Sequence, residues 1–266
     1  MNLATPLIAS NALVVAGLAY TVAKLRRYRR KFIMYKTHET FQPGPINAVE
    51  IADFDARFKV TETGPDPSSA IQSVPSYKVQ GGIDDFETWI ICNFAKTAGR
   101  IFEFGTCTGK TAYLLALNSP PETRVTTLTL GPEQAASYRA ENADAAHDTN
   151  RALAESVFSR FFYTGTPQAA KIEQLLCDSK VFDETDYREQ FDLIFIDGSH
   201  AKSYVENDTD KALRMVKPGG VILWHDYRGP LRTEGVFGTL NALSQKLPLV
   251  HIKGTCLVAY RRTPER

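Results

Sequence analysis

From about residue 81 onward, short apolar runs that end in polar clusters alternate with apolar positions at helical spacing. The clearest unit begins with Phe191-Asp192-Leu193-Ile194-Phe195-Ile196, which closes on Asp197-Gly198-Ser199-His200. Val205, Ala212, Leu213 and Val216 then recur at helical spacing, and Lys217-Pro218-Gly219-Gly220 turns into Val221-Ile222-Leu223-Trp224, which closes on His225-Asp226. This reads as strand, crossover helix and parallel strand. Both strands point the same way, so Asp197, His200, His225 and Asp226 reach one edge of a buried sheet, where open α/β sheets bind ligands.

The same alternation extends upstream and downstream. The pattern predicts a helix over 86–95, a strand over 100–104, a helix over 111–118 and a strand over 125–130. A helical region closes at 157–162, and 171–176 reads as a third strand or a short helix. Residues 249–252 and 255–260 read as an antiparallel pair around Lys253-Gly254. The expected fold is α/β: a doubly wound, mostly parallel sheet with an antiparallel C-terminal hairpin. Between about 34 and 79 the chain is irregular, broken by Pro43, Gly44, Pro45, Gly64, Pro65, Pro67 and Pro75. We therefore expect a linker and lead-in over 32–80 and the folded domain over 81–266.

The amino terminus has a different character. No charged residue occurs from Asn2 to Ala23, and a basic block, Lys24-Leu25-Arg26-Arg27-Tyr28-Arg29-Arg30-Lys31, follows. Roughly 20 uncharged residues suffice to cross a bilayer as a helix. The basic flank would hold the rest of the chain in the cytoplasm. The charges follow the apolar run instead of preceding it, unlike a secretory signal. Residues 1–31 are thus expected to be a single-pass N-terminal membrane anchor. A surface-lying helix is the other reading, since Thr5, Pro6, Ser10, Asn11 and Thr21 temper the run.

Composition narrows the partners. The formal charge is +1 and no nucleic-acid-binding motif is present, which argues against a nucleic-acid partner. Cys92, Cys107, Cys177 and Cys256 lie far apart with no Cys-x-x-Cys spacing, so they read as reduced thiols.

The chemistry-bearing loop is Glu103-Phe104-Gly105-Thr106-Cys107-Thr108-Gly109, which ends the first strand and opens a helix. Glycines there let the backbone turn sharply and approach a ligand. The spacing is not that of a dinucleotide-binding Gly-x-Gly-x-x-Gly, and Phe104 stands where a phosphate loop needs glycine.

With this loop, the Asp-Gly-Ser-His segment and the Pro-Gly-Gly stretch leading to His-Asp, the chain resembles class I S-adenosylmethionine-dependent methyltransferases over about 81–262. It looks closest to their small-molecule O-methyltransferase-like group. The resemblance implies transfer of methyl to a hydroxyl of a small-molecule acceptor, with S-adenosylmethionine as cofactor, and the N-terminal segment would hold this enzyme at the membrane. Glu103, Gly105, Thr106 and Gly109 would frame the cofactor, Asp178 and Ser179 would meet its adenine side, and Asp197 would lie beside it. The ribose position falls on Thr129 where the family usually carries an acid, so Glu133 is the compensating candidate. His200 would take the acceptor's proton, imidazole titrating near neutrality. In related metal-dependent enzymes the carboxylate and acidic pair at these strand ends bind a magnesium-like ion, which would fall on Asp197, His225 and Asp226. His225 is a poor partner for a hard ion, so metal dependence stays open. Trp224 and Tyr227 could line an acceptor pocket or sit in the core. A homodimer is compatible with the sequence. A metal-dependent hydroxylase-like enzyme of the same fold and a non-catalytic cofactor-binding membrane protein remain the alternatives.

Overall fold

The structure is a computed structural model that describes residues 17–26, 28 and 44–264. It divides into two units, Met1–Gln42 and Pro43–Arg266. In the first, residues 17–26 form a helix, α1. Positions 2–16 of the expected membrane segment lie outside the described residues. Among the described residues, no helix is long and apolar enough to cross a membrane.

In the second unit, apolar residues alternate along central strands that are covered on both faces. Strand β4 (Arg100–Phe104) turns Ile101 into a core shared with α3 (Asp85–Ala95) and α4 (Lys110–Asn118). Phe102 faces the other way, against Phe182, Tyr187 and Phe191.

The remaining elements are β1 (Asn47–Val49), α2 (Ile51–Phe54), the short hairpin β2 (Val60–Thr61) and β3 (Gly64–Pro65), β5 (Arg124–Thr129) and α5 (Ala146–Glu155). They continue with β6 (Ile172–Leu176), β7 (Phe191–Ile196), α6 (Lys202–Met215), β8 (Val216–Trp224), α7 (Glu234–Leu243), β9 (Val250–Ile252) and β10 (Val258–Arg261).

One sheet runs in the order β1-β9-β10-β8-β7-β4-β5-β6, and β10 alone is antiparallel to its neighbours. The parallel sheet with an antiparallel C-terminal hairpin therefore stands as the pattern predicts. The register aligns the ends of the central strands, pairing Phe104 with Leu128 and Ile196, and Ile196 with Trp224. Ladder bonds continue one residue further: Asp197 N to Phe104 O, Gly105 N to Leu128 O and His225 N to Ile196 O. The site residues inherit the alignment of the strands.

One local expectation changes, one open reading resolves, and the lead-in adds contacts of its own. The helix before β6 stops at Glu155, and 157–162 is not helical; Phe161 and the neighbouring Tyr163 instead pack against Gly109. The segment at 171–176 is a strand, preceded by a 3-10 turn over Pro167–Lys171. The compact unit begins at Pro43, well before Gly81, because β1 adds to the sheet through β9 and Phe58 packs on Trp89 and Phe94.

Candidate active site

The loop after β4 lies directly on the loop after β7. Gly105 has φ +101°, and a Cβ there would stand 2.1 Å from the Asp197 carbonyl oxygen. Only glycine allows both that conformation and that approach. Gly109, at φ +79°, caps the start of α4.

Beneath the loop, Gln174 Nε2 donates to Thr106 Oγ1 at 3.1 Å, Thr106 and Thr127 hydroxyls meet at 2.7 Å, and Thr127 donates to Glu103 Oε2. Glu103 is fully buried and its Oε1 has no hydrogen-bond partner among the described residues. Burial pushes its carboxyl up to about 8, against the opposing bond from Thr127, so it is largely protonated at neutral pH.

Two cavities flank this contact. The first has about 570 Å³ of space, part of it open to solvent, and Thr129, Tyr138, Asp178, Ser179, Tyr204 and Asp208 line it. Tyr204 stacks on Tyr138 at 4.4 Å between ring centres and donates to Asp178 Oδ2 at 2.8 Å. Burial raises the Asp208 carboxyl to about 6, against bonds from Ser179 and Asn207. Thr129 thus reaches the cavity, whereas Glu133 is exposed on the 3-10 turn Pro132–Ser137 and is not among its lining residues.

The second cavity, about 870 Å³ with its open part, is lined by Lys110, Arg151, His200, His225, Asp226 and Arg228 among others. Gly105, Cys107, Glu155, Asp197 and Gly198 border both cavities. Val79, Gly81 and Gly82 from the lead-in also reach the second one.

Around the second cavity a chain of charges runs from helix α3 to the loop after β8. Glu87 Oε2 lies 3.0 Å from His225 Nε2, and His225 Nδ1 lies 3.0 Å from Asp197 Oδ1. Asp226 Oδ2 is 2.6 Å from His200 Nε2, and its Oδ1 is 2.6 Å from Arg228 Nε. Burial opposes charge on both histidines, but the surrounding carboxylates outweigh it: Asp197 and Asp226 hold His225 well above the ordinary imidazole value, and Asp226 raises His200. Burial also opposes ionisation of Asp226, yet the charge of His225 and the bond from His200 hold it well below the usual carboxylate range. His200 Nδ1 is buried and has no hydrogen-bond partner among the described residues. Asp226 adopts φ +60°, one of the few non-glycine residues in the left-handed region.

The sequence-predicted His200, Asp197, His225 and Asp226 therefore come together. Glu87, Arg151 and Arg228 join them without having been singled out. Glu87 lies in the apolar helix Asp85–Ala95, where an acidic residue next to Phe86, Trp89 and Ile90 is the one local hint of a buried partner. Trp224 and Tyr227 fall in the core: the Trp224 indole donates to Thr209 Oγ1 at 2.9 Å, and Tyr227 stacks on Phe237. Lys110 is also buried, with its ammonium bonded to the Ser76 hydroxyl.

The expected metal ligands come together, and each already faces protein groups. Ligand atoms of Asp197, His225 and Asp226 lie within 4.8 Å of one another. Both ring nitrogens of His225 nevertheless face carboxylates, and Asp226 already faces His200 and Arg228. A second group of comparable spacing, Glu87, His225 and Cys256, shares the same histidine, and Glu87 Oε1 there accepts from the Cys256 backbone N–H at 2.7 Å. All four cysteines are unbridged.

Residues 102–227 match the model of a family described as a methyltransferase domain, a span running from β4 to the residue that follows Asp226. That stretch, a little under half of the chain, is similar to a methyltransferase domain. Among solved structures it is similar to the O-methyltransferase TomG from Streptomyces achromogenes in complex with SAM, at 18% identity over 70% of this chain and 83% of that one, TM-score 0.45. It is likewise similar to an SAM-dependent O-methyltransferase from Thermotoga maritima, at 18% identity over 79% and 78%, TM-score 0.48. A third is the O-methyltransferase from Bacillus cereus in complex with SAH, at 18% identity over 68% and 83%, TM-score 0.47. No curated protein matches the sequence.

Proposed function

We propose that the protein transfers a methyl group from S-adenosylmethionine to a hydroxyl of a small molecule, with the cofactor in the first cavity and the acceptor in the second. The observation that carries this reading is the Asp226–His200 pair beside the wall that the two cavities share. Asp226 fixes the Nε2–H tautomer of His200 and leaves Nδ1 as the basic nitrogen. Nδ1 then takes the acceptor proton as the oxygen attacks. The cofactor's sulfonium supplies an activated methyl, so the protein's part is alignment and deprotonation.

The residues around the first cavity fit the cofactor. Gly105 borders it, and the same loop continues through Thr106 to Lys110 and Thr111 at the uncapped start of α4, which line the second cavity, so this loop lies where the cofactor's reacting end would meet the acceptor. Asp178 and Ser179 provide polar groups beside the stacked Tyr138 and Tyr204 rings. Glu103, protonated and tied to Thr127, anchors the loop from below instead of reaching the ligand. Thr129 offers one hydroxyl toward a ribose where a carboxylate would clamp both oxygens.

The uncharged stretch at 2–23 and the basic block after it support a membrane tether with the enzyme on the cytoplasmic face. Calorimetry of the full chain with S-adenosylmethionine and its demethylated product tests the cofactor reading. Saturable binding of both is expected; binding of neither would overturn it. Retention in the pellet after alkaline extraction of membranes is expected for the tether, and release would remove it.

A further inference from the structure

The metal-dependent relatives that the sequence resembles would place an ion among Asp197, His225 and Asp226. In this chain the groups that would bind it already face protein cations. A ring with a carboxylate 3.0 Å from each nitrogen donates a proton on both sides, so His225 is a charge and not a ligand. Asp226 presents one oxygen to His200 and the other to Arg228, each at 2.6 Å. Asp197 and Glu87 are thus held by the two N–H groups of His225, and Asp226 by Arg228 and the Nε2–H of His200, so an ion would have to displace protein donors from every carboxylate it met. Magnesium would in addition have to lose water to enter, which it does reluctantly.

We propose that the site works without a divalent ion and that the guanidinium of Arg228 holds the acceptor oxygen in its place. This rests on the methyl-transfer reading. Arg228 lines the acceptor cavity together with His200 and Asp226. Its Nε lies close to Asp226 Oδ1 but off the direction of a hydrogen bond, so that pairing is one of charge; the guanidinium also bonds the Cys256 thiol, and a planar fork of five donors has further N–H groups to offer a ligand. As the acceptor O–H bond breaks, the proton goes to His200 Nδ1. The new O–C bond forms while the S–C bond of the sulfonium breaks and its electron pair returns to sulfur. Negative charge develops on the oxygen in between, where a fixed guanidinium stabilises it.

The test uses the full chain dialysed against a chelator. It is titrated by calorimetry with magnesium chloride and separately with manganese chloride, then with S-adenosylmethionine in the presence and absence of each. The expected result is no saturable ion binding at millimolar concentration and cofactor affinity that changes less than about twofold. Saturable binding that Asp226→Asn abolishes overturns the proposal. With the demethylated cofactor bound, 4-nitrophenol then serves as the oxyanion probe, its ionised form read by its visible absorption. Arg228→Met is expected to weaken phenolate binding by about tenfold or more and Arg228→Lys by less, with cofactor affinity retained in both. Phenolate affinity that Arg228→Met leaves unchanged, or no phenolate binding by the unmodified chain, overturns the role of Arg228. Failure of the unmodified chain to bind S-adenosylmethionine would instead sink the methyl-transfer reading, and the ion titration would still decide this one.

Discussion

Glu87 ties three elements together from behind the site. Its side chain reaches His225 after β8, and it accepts from both the backbone N–H and the thiol of Cys256 ahead of β10. Burial opposes its charge, but the bond and the charge of His225 win, and its carboxyl falls to about 2 from an ordinary 4.5. A carboxylate with a lowered folded-state value stabilises the fold fully above the unfolded value and less as pH drops through the folded one. Glu87 therefore contributes at neutral pH, and that contribution disappears between about 4.5 and 2. Glu87→Ala strands His225 and Cys256 and is expected to cost about 3–5 kcal/mol at neutral pH. Chemical denaturation of the variant should show a smaller loss of stability across that acid window than the unmodified chain. An equal loss in both would remove Glu87 as its source.

At the scale of elements, close contact between loops and helices decides the site as much as side-chain identity does. Helix α7 begins against the His200 loop: a Cβ on Gly235 would lie 2.1 Å from the His200 carbonyl oxygen and 2.7 Å from Lys202 N. Gly238, on the same helix, has open space where its Cβ would be. Gly235→Ala should therefore lower the melting temperature by roughly 3–10 °C through overpacking, whereas Gly238→Ala should raise it slightly through helix propensity. Equal effects of the two in a thermal melt would show that α7 does not lean on the loop.

This contrast bears on how much the sequence could reveal. Asp197, His200, His225 and Asp226 were legible because each follows a strand, and a parallel sheet delivers strand ends to one edge. Glu87 sits inside an apolar helix and finds its partners 138 and 169 residues along the chain, pairings that no local pattern encodes. The apolar side chains at 157–162 imitate a helix, but Phe161 is drawn under Gly109. The lead-in looked like a linker because prolines and glycines break its periodicity. Its contribution comes from single anchors, such as Phe58 and Ser69, and from a three-residue strand, β1.

For the whole molecule, those anchors set where a self-sufficient fragment begins. Phe58 is 1% exposed, with its ring 5.1 Å from that of Trp89 and 5.0 Å from that of Phe94. The Trp89 indole and the Asn93 amide both donate to the Ser69 carbonyl, at 3.0 and 2.9 Å. A fragment starting at Gly81 loses about 2–3 kcal/mol from Phe58 alone, and each orphaned donor adds about 1–3 kcal/mol. A fragment starting at Pro43 should melt within a few degrees of the full chain, and one starting at Gly81 roughly 10–20 °C lower. Equal melting of the two fragments would show that the lead-in is dispensable.

The backbone contact at Gly105 has a kinetic meaning. Because the loops after β4 and β7 touch there, one wall serves both cavities, and on the methyl-transfer reading proposed above a cofactor in the first presents its methyl group as part of the surface that an acceptor in the second meets. Order of arrival should then be compulsory: cofactor first, acceptor next, methylated product out before the spent cofactor. Demethylated cofactor is expected to compete with S-adenosylmethionine in initial-rate measurements and to inhibit non-competitively against the acceptor. Random-order patterns would mean that the acceptor finds its wall complete without a partner behind it.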